Sequence, residues 1–142
     1  MQQYRKAEIV KQLVDFFGDD LRRIEHAFSV LKHAEAIAER KTGWDYEILV
    51  ASALLHDVGI KPSEEKLDHN NGHTQEEYGQ PKARVLLNAI DFPLRKTEKV
   101  CEIIGNHHSP SRYDYIELEI LKEADRIVNS REARLEKLES GG

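Results

Sequence analysis

Apolar residues recur at helical spacing along nearly the whole chain. Ile9, Leu13, Phe16 and Phe17 share one face of a short helix that is expected to stop near Gly18. Asp19 or Asp20 then offers a side-chain oxygen to cap a second helix. That helix carries Ile24, Ala27, Val30, Leu31, Ala34, Ile37 and Ala38 on one broad face, and Gly43 is the expected end, since glycine adopts the left-handed conformation that closes a helix. Asp45 is placed to cap a third helix. Its run from Leu49 to Leu55 is almost unbroken, which predicts a central helix covered on most sides, ending at Gly59 and Pro62. Ser63 with Glu64 and Glu65 predicts a brief helix, and Asp68 to Gly72 a polar loop. Thr74 and Glu77 fit a capping box, but Pro81 would fall inside that helix, so its regular part is expected from Pro81 to about Ile90. Val100, Ile103, Ile104 and His107 repeat the i, i+3, i+4, i+7 pattern, as do Ile120, Leu121, Ala124, Ile127 and Val128. Strand alternation and internal repeats are missing. The pattern predicts an all-α fold, a single compact bundle of about six to seven helices over residues 1–130. Residues 131–142 form a charged helical tail with Leu135 and Leu138 as its apolar anchors, suited to docking or to a homodimer contact.

Composition narrows the class. A chain of 142 residues with 39% hydrophobic and 33% charged residues has the balance of one soluble domain with a real core. No apolar run approaches the ~20 residues of a membrane span, and the amino terminus is too polar for a signal peptide, so a cytoplasmic location is expected. Cys101 is the only cysteine and has apolar neighbours, which leaves neither a disulfide nor a thiolate metal cage. The net charge of -5 argues against an extended nucleic-acid surface while allowing a local basic patch for a small anionic substrate.

Against that background a few polar residues stand on apolar faces. His26 and His33 lie seven residues apart on the second helix and point nearly the same way, so periodicity does not choose between them. His56 and Asp57 diverge by about 100° on a helix and reach one point only near its end. Asp125 flanks the stripe of the last helix. Each alone has an ordinary explanation, a histidine bonded to a carbonyl or an aspartate paired with a lysine. Together they bring imidazole and carboxylate from three helices to the margin of one core, where an unpartnered carboxylate is costly. A divalent metal removes that cost for both aspartates at once.

H26, then H56-D57 at the end of ALLHD, then D125 in LKEADRIVN, resembles the H…HD…D signature of the HD-domain superfamily of metal-dependent phosphohydrolases. The likeness runs from about Leu21 to Asn129 through RRIEHAFSVLKHAEAIA, ASALLHDVGIK, EYGQPKARVLL, VCEIIGNHHSP and EADRIVN. It implies that residues 1–130 are an HD-type domain and that the first ligand is His26, because V-xxx-A-xx-IA follows it in the family's register; His33 then has a packing or supporting role. It implies His26, His56, Asp57 and Asp125 around one divalent ion, with positions left for water and a phosphate oxygen. Dinuclear branches of the superfamily add histidines between the HD pair and the last aspartate, which makes His73, His107 and His108, with Glu76, candidates for a second metal or for phosphate contacts. The segment from Glu76 to Arg84 resembles instead the E-xx-G-xP-xAR form of other branches, which points to one tight metal.

The residue types suit hydrolysis. Imidazole and carboxylate without thiolate accommodate Mn, Fe, Co, Ni, Mg or Zn and do not select among them. Such an ion lowers the pKa of a bound water toward ~7 and holds a phosphoryl oxygen. Lys61 is the leading phosphate-binding candidate, with Arg22, Arg23 and Arg84 as further ones. Some branches have HDxGK, whereas here Ile60 separates Gly59 from Lys61. Asp57, Lys61 and His107 are the candidate catalytic residues, His107 as a hydrogen-bonding partner of phosphate or leaving group. The expected function is hydrolysis of a phosphate ester of a nucleotide or similar small metabolite. The alternatives are a dinucleoside polyphosphate hydrolase, an HD-type di-iron oxygenase and a non-catalytic nucleotide-binding module.

Overall fold

The computed structural model describes residues 2–60 and 72–141. Among them are helices α1 (Gln2–Phe17), α2 (Leu21–Ala38), α3 (Tyr46–Leu55), α4 (Gly72–Asn88), α5 (Leu94–Ile104) and α6 (Ile116–Gly141), and no strand. Lys61, Pro62, the brief helix expected at Ser63 and the loop from Asp68 to Asn71 lie outside the described residues. The all-α expectation holds.

The helix that is apolar on every side sits in the middle. Residues 48–55 of α3 are all buried, and α1, α2, α5 and α6 pack around them. A helix with no polar face has to be surrounded, and each fully buried leucine or isoleucine here contributes about 1.5–3 kcal/mol. Asp45 starts α3 by accepting from the Ile48 amide at 3.0 Å, as its position before the apolar run predicts. Around this axis α2 lies along α6, and α4 along α5.

Some boundaries differ from the sequence expectation. Gly18 closes α1 at φ +61°, but Asp20, at the following N-cap, makes no capping bond; its Oδ2 lies 3.4 Å from Arg23 Nε. Helix α2 ends at Ala38 rather than Gly43, because the apolar stripe ends there and Trp44 Nε1 donates to the Ala38 and Lys41 carbonyls, both at 2.9 Å. Gly43, at φ +82°, turns the link instead.

The largest difference is α4, which begins at Gly72 and runs through Pro81 to Asn88. A proline in a helix interior costs ~3 kcal/mol, and tertiary contacts of the preceding half offset it. Thr74, Glu76 and Gly79 are buried, and the turn after α3 presses onto this segment so closely that a Cβ on Gly59 would come 2.2 Å from the Gln75 oxygen and 2.6 Å from the Gly79 nitrogen. Only glycine fits at position 59. Helix α5 stops at Ile104, so His107 and His108 lie beyond it rather than on its apolar face. Helix α6 continues without a break through residues 131–141, with Leu135 and Leu138 exposed by 58% and 73%.

Candidate metal centre

The close packing at Gly59 fixes where the chain goes after α3, and therefore where His56 and Asp57 point. His56 is 0% exposed, and its Nδ1 donates to the Ala53 carbonyl at 2.7 Å. A carbonyl only accepts, so Nδ1 carries the proton and the neutral ring presents an Nε2 lone pair to the interior. His26 arrives from α2 with the same orientation: Nδ1 is 3.0 Å from both carboxylate oxygens of Glu132 on α6, and Nε2 faces inward.

Both Nε2 atoms meet carboxylates. His26 Nε2 lies 3.3 Å from Asp57 Oδ2 and 3.2 Å from Asp125 Oδ1, and His56 Nε2 lies 3.3 Å from each of the same two oxygens. Ligand atoms at ~2.1 Å from a common ion and at tetrahedral or octahedral angles are separated by about 3.0–3.4 Å. His26, His56 and Asp57 each offer one ligand atom within 4.8 Å of the others. Among the described residues the buried His56 Nε2 makes no well-aligned hydrogen bond, although the two carboxylate oxygens lie 3.3 Å away. Neutral imidazole lone pairs facing carboxylate lone pairs repel, so a positive charge belongs between them, either a proton on each ring or a metal ion. His26, His56 and Asp57 fit a divalent cation as a group, and Asp125, outside that grouping, borders it through its contacts with both rings.

Without one, the rings take protons. Burial pushes the His56 pKa down, but the charges of Asp57 and Asp125 and their contacts overcome it and raise it well above 6.5. His26 is also raised, with burial opposed chiefly by Asp125. Burial acts upward on the carboxylates, yet the charge and contact of His56 bring Asp57 down to about 2, and contacts with His26 and His56 hold Asp125 well below the usual range. His107 differs. Burial and the neighbouring His56 and His108 charges push it down to about 4, so it is neutral near pH 7. Its Nδ1 donates to the Ile104 carbonyl at 2.6 Å, and among the described residues its buried Nε2 has no hydrogen-bond partner.

The other expected site residues divide. Asp57, His107 and His108 also offer ligand atoms within 4.8 Å of one another. Glu76 is buried, but both oxygens are engaged, Oε2 with the His108 amide at 2.9 Å and Oε1 with the Ser109 hydroxyl at 2.6 Å, so it shapes the loop after α5. His73 projects outward, 84% exposed and 3.9 Å from Glu77, and does not join the cluster. His33 Nδ1 donates to Ser29 O at 3.1 Å, a packing role. A cavity of about 390 Å³ opens on the cluster, with Arg22, Arg23, Gln75 and Asn129 among its walls. Arg22 also pairs with Glu136. Arg84 pairs with Glu98 and is not among the residues lining the cavity. Sequence reasoning missed Glu132, although it stands seven residues after Asp125, two turns along the same face of α6. Placing the domain end at residue 130 hid that periodicity.

No curated protein and no solved structure matches the chain. The family model described as HD domain matches residues 23–130, a span that holds His26, His56, Asp57 and Asp125 in their expected order. The chain therefore belongs to the HD-domain family.

Proposed function

We propose that the chain hydrolyses a phosphate ester of a nucleotide or similar small metabolite, with His26, His56, Asp57 and Asp125 holding one divalent ion. The observation carrying this reading is the alternation of two Nε2 and two carboxylate oxygen atoms at 3.2–3.3 Å, with both Nδ1 atoms committed elsewhere. When bound, the ion supplies Lewis-acid stabilisation of phosphate charge and acidifies a water to make a nucleophile at neutral pH. The chain's own groups do the rest. Arg23, half-buried on the cavity wall, and Arg22 beside it are placed to meet a phosphate, and Lys61 is proposed to do the same. His107, neutral with its proton on Nδ1, accepts a hydrogen bond at Nε2 and so orients a water or a hydroxyl rather than donating to phosphate.

The membership implies metal-dependent hydrolysis in general terms; the nucleotide, the mononuclear ion and the cytoplasmic setting belong to this proposal. So do a domain of residues 1–130 and a homodimer through the exposed Leu135 and Leu138. Among the described residues no helix is long and apolar enough to cross a membrane. The test is metal analysis of purified protein, followed by a screen of nucleotides and other phosphate esters with Mn²⁺, Co²⁺ and Mg²⁺. Turnover with one equivalent of metal supports the reading, and nucleotide binding without turnover in any metal contradicts it. The second grouping of Asp57, His107 and His108 favours a dinuclear centre, and with iron an oxygenase. Two equivalents of iron with oxygen consumption would select that reading. Product analysis separates the dinucleoside polyphosphate hydrolase.

A further inference from the structure

The three inward-facing histidines are not held by the same kind of partner. His56 and His107 are held by main-chain carbonyls, those of Ala53 and Ile104, each three residues earlier in the chain. Those contacts are local and arise wherever the helix end forms. His26 sits inside α2, yet its Nδ1 does not bond within its own helix as that of His33 does; it reaches across to Glu132 at 3.0 Å from both oxygens. Glu132 lies beyond the span matched by the family model, on the part of α6 that the sequence pattern assigns to a tail.

We infer that Glu132 is a positioning residue for the metal site: its carboxylate holds the proton on His26 Nδ1 and aims Nε2 at Asp57 and Asp125. The inference rests on the proposed role of His26 as a ligand and goes beyond it. Neutral imidazole otherwise divides its proton between the two nitrogens, and a ring with the proton on Nε2 cannot bind an ion through that atom. A carboxylate accepting from Nδ1–H removes the unproductive tautomer, fixes the ring plane, and makes Nε2 more basic. The part of α6 beyond the matched domain thereby contributes to the centre. A second contact between the same helices, Arg22 with Glu136 one turn further on, keeps α6 against α2 without touching the imidazole.

The full-length protein, stripped of metal, is titrated with Co²⁺ and followed by absorbance. Glu132→Ala is expected to weaken Co²⁺ binding by roughly 10–100-fold, as loss of an outer partner of a metal-bound histidine does. Glu132→Gln, whose amide oxygen still accepts from Nδ1–H, is expected to lose less. Glu136→Ala removes the clasp alone and is expected to keep wild-type affinity. In the Zn²⁺-loaded protein, ¹⁵N NMR is expected to show the His26 Nδ1–H signal hydrogen-bonded in the wild type and shifted, with faster solvent exchange, in Glu132→Ala.

Wild-type Co²⁺ affinity in Glu132→Ala together with loss in His26→Ala overturns the inference alone. Wild-type affinity in both overturns the ligand assignment, and this inference with it. Equal losses in Glu132→Ala and Glu136→Ala, with an unchanged His26 Nδ1–H signal, reduce Glu132 to a clasp and also overturn it.

Discussion

Helix α3 buries carboxylates near both ends, and the two ends treat them differently. At its start, Asp45 pairs with Lys96 at 3.0 Å, Glu47 with Lys96 at 2.7 Å and with Arg5 at 3.3 Å, and the buried Glu117 with Lys99 at 3.2 Å. Glu117 also accepts from the Asp45 amide at 2.7 Å. The cations there are side chains of the protein itself. At the other end, the ion pairs of Asp57 and Asp125 among the described residues are with His26 and His56, bases that need a proton to be cations. At the start of α3 the positive charge is built into the chain, even where, as at Glu117 Oε1, the contact is an ion pair rather than a hydrogen bond. The other end becomes complete only with added positive charge, and that asymmetry separates a candidate reaction centre from a structural network on the same helix.

Removing a ligand should have the largest effect. His56→Ala and Asp57→Ala are expected to lose bound metal and hydrolysis, by more than the ~100-fold upper range for an outer partner, while circular dichroism shows most helix retained. The matching lesion at the start of α3 should act on stability alone. Glu117→Ala strands the Asp45 amide and Lys99, so denaturant unfolding is expected to show a loss of about 1–3 kcal/mol with metal stoichiometry unchanged. If Glu117→Ala lost metal selectively, the two ends would not be functionally distinct.

The pH dependence sharpens the contrast. In the metal-free protein His26 and His56 have raised pKa values, so the stability they contribute is full below 6.5 and is lost as pH rises through their folded values. His107 is depressed to about 4, so stability falls as pH drops from 6.5 toward 4. Asp57, lowered to about 2, and Asp125 contribute above 3.8 and lose that contribution as pH falls further. The melting temperature without metal is expected to peak near pH 6.5 and fall on both sides. With saturating metal the alkaline fall should disappear, since the ion replaces the ring protons, and calorimetry should detect proton release on binding. The smallest effect concerns substrate. Lys61→Ala and Arg23→Ala should each leave metal binding intact and raise KM by about tenfold, as expected for losing a charged hydrogen bond of about 1.5 kcal/mol. Unchanged kinetics would return either residue to the surface.

Much of this contrast was legible in the sequence. The buried run from Leu49 to Leu55 predicts a central helix, and the same logic places His56 and Asp57 where a covered helix ends. The resemblance to the HD-domain superfamily chose His26 over His33, and the geometry joins His26 to the cluster while His33 bonds within its own helix. The remainder depended on contacts between distant segments. Pro81 reads as a boundary because sequence carries its local cost but not the burial of Thr74, Glu76 and Gly79 that offsets it. His107 reads as a helical position because i+7 spacing cannot show that α5 has already ended at Ile104. Glu76 looks like a ligand by type, yet its oxygens hold the loop beyond α5, a partner more than thirty residues away. Glu132 was readable by periodicity from Asp125, but only if α6 is followed past residue 130.

Anomalous diffraction from crystals grown with Mn²⁺ tests the central claim most directly. One strong peak at about 2.0–2.3 Å from His26 Nε2, His56 Nε2, Asp57 Oδ2 and Asp125 Oδ1 is the predicted result. No peak there at saturating Mn²⁺, or an ion bound elsewhere while His56 and Asp57 keep only each other's company, would contradict it.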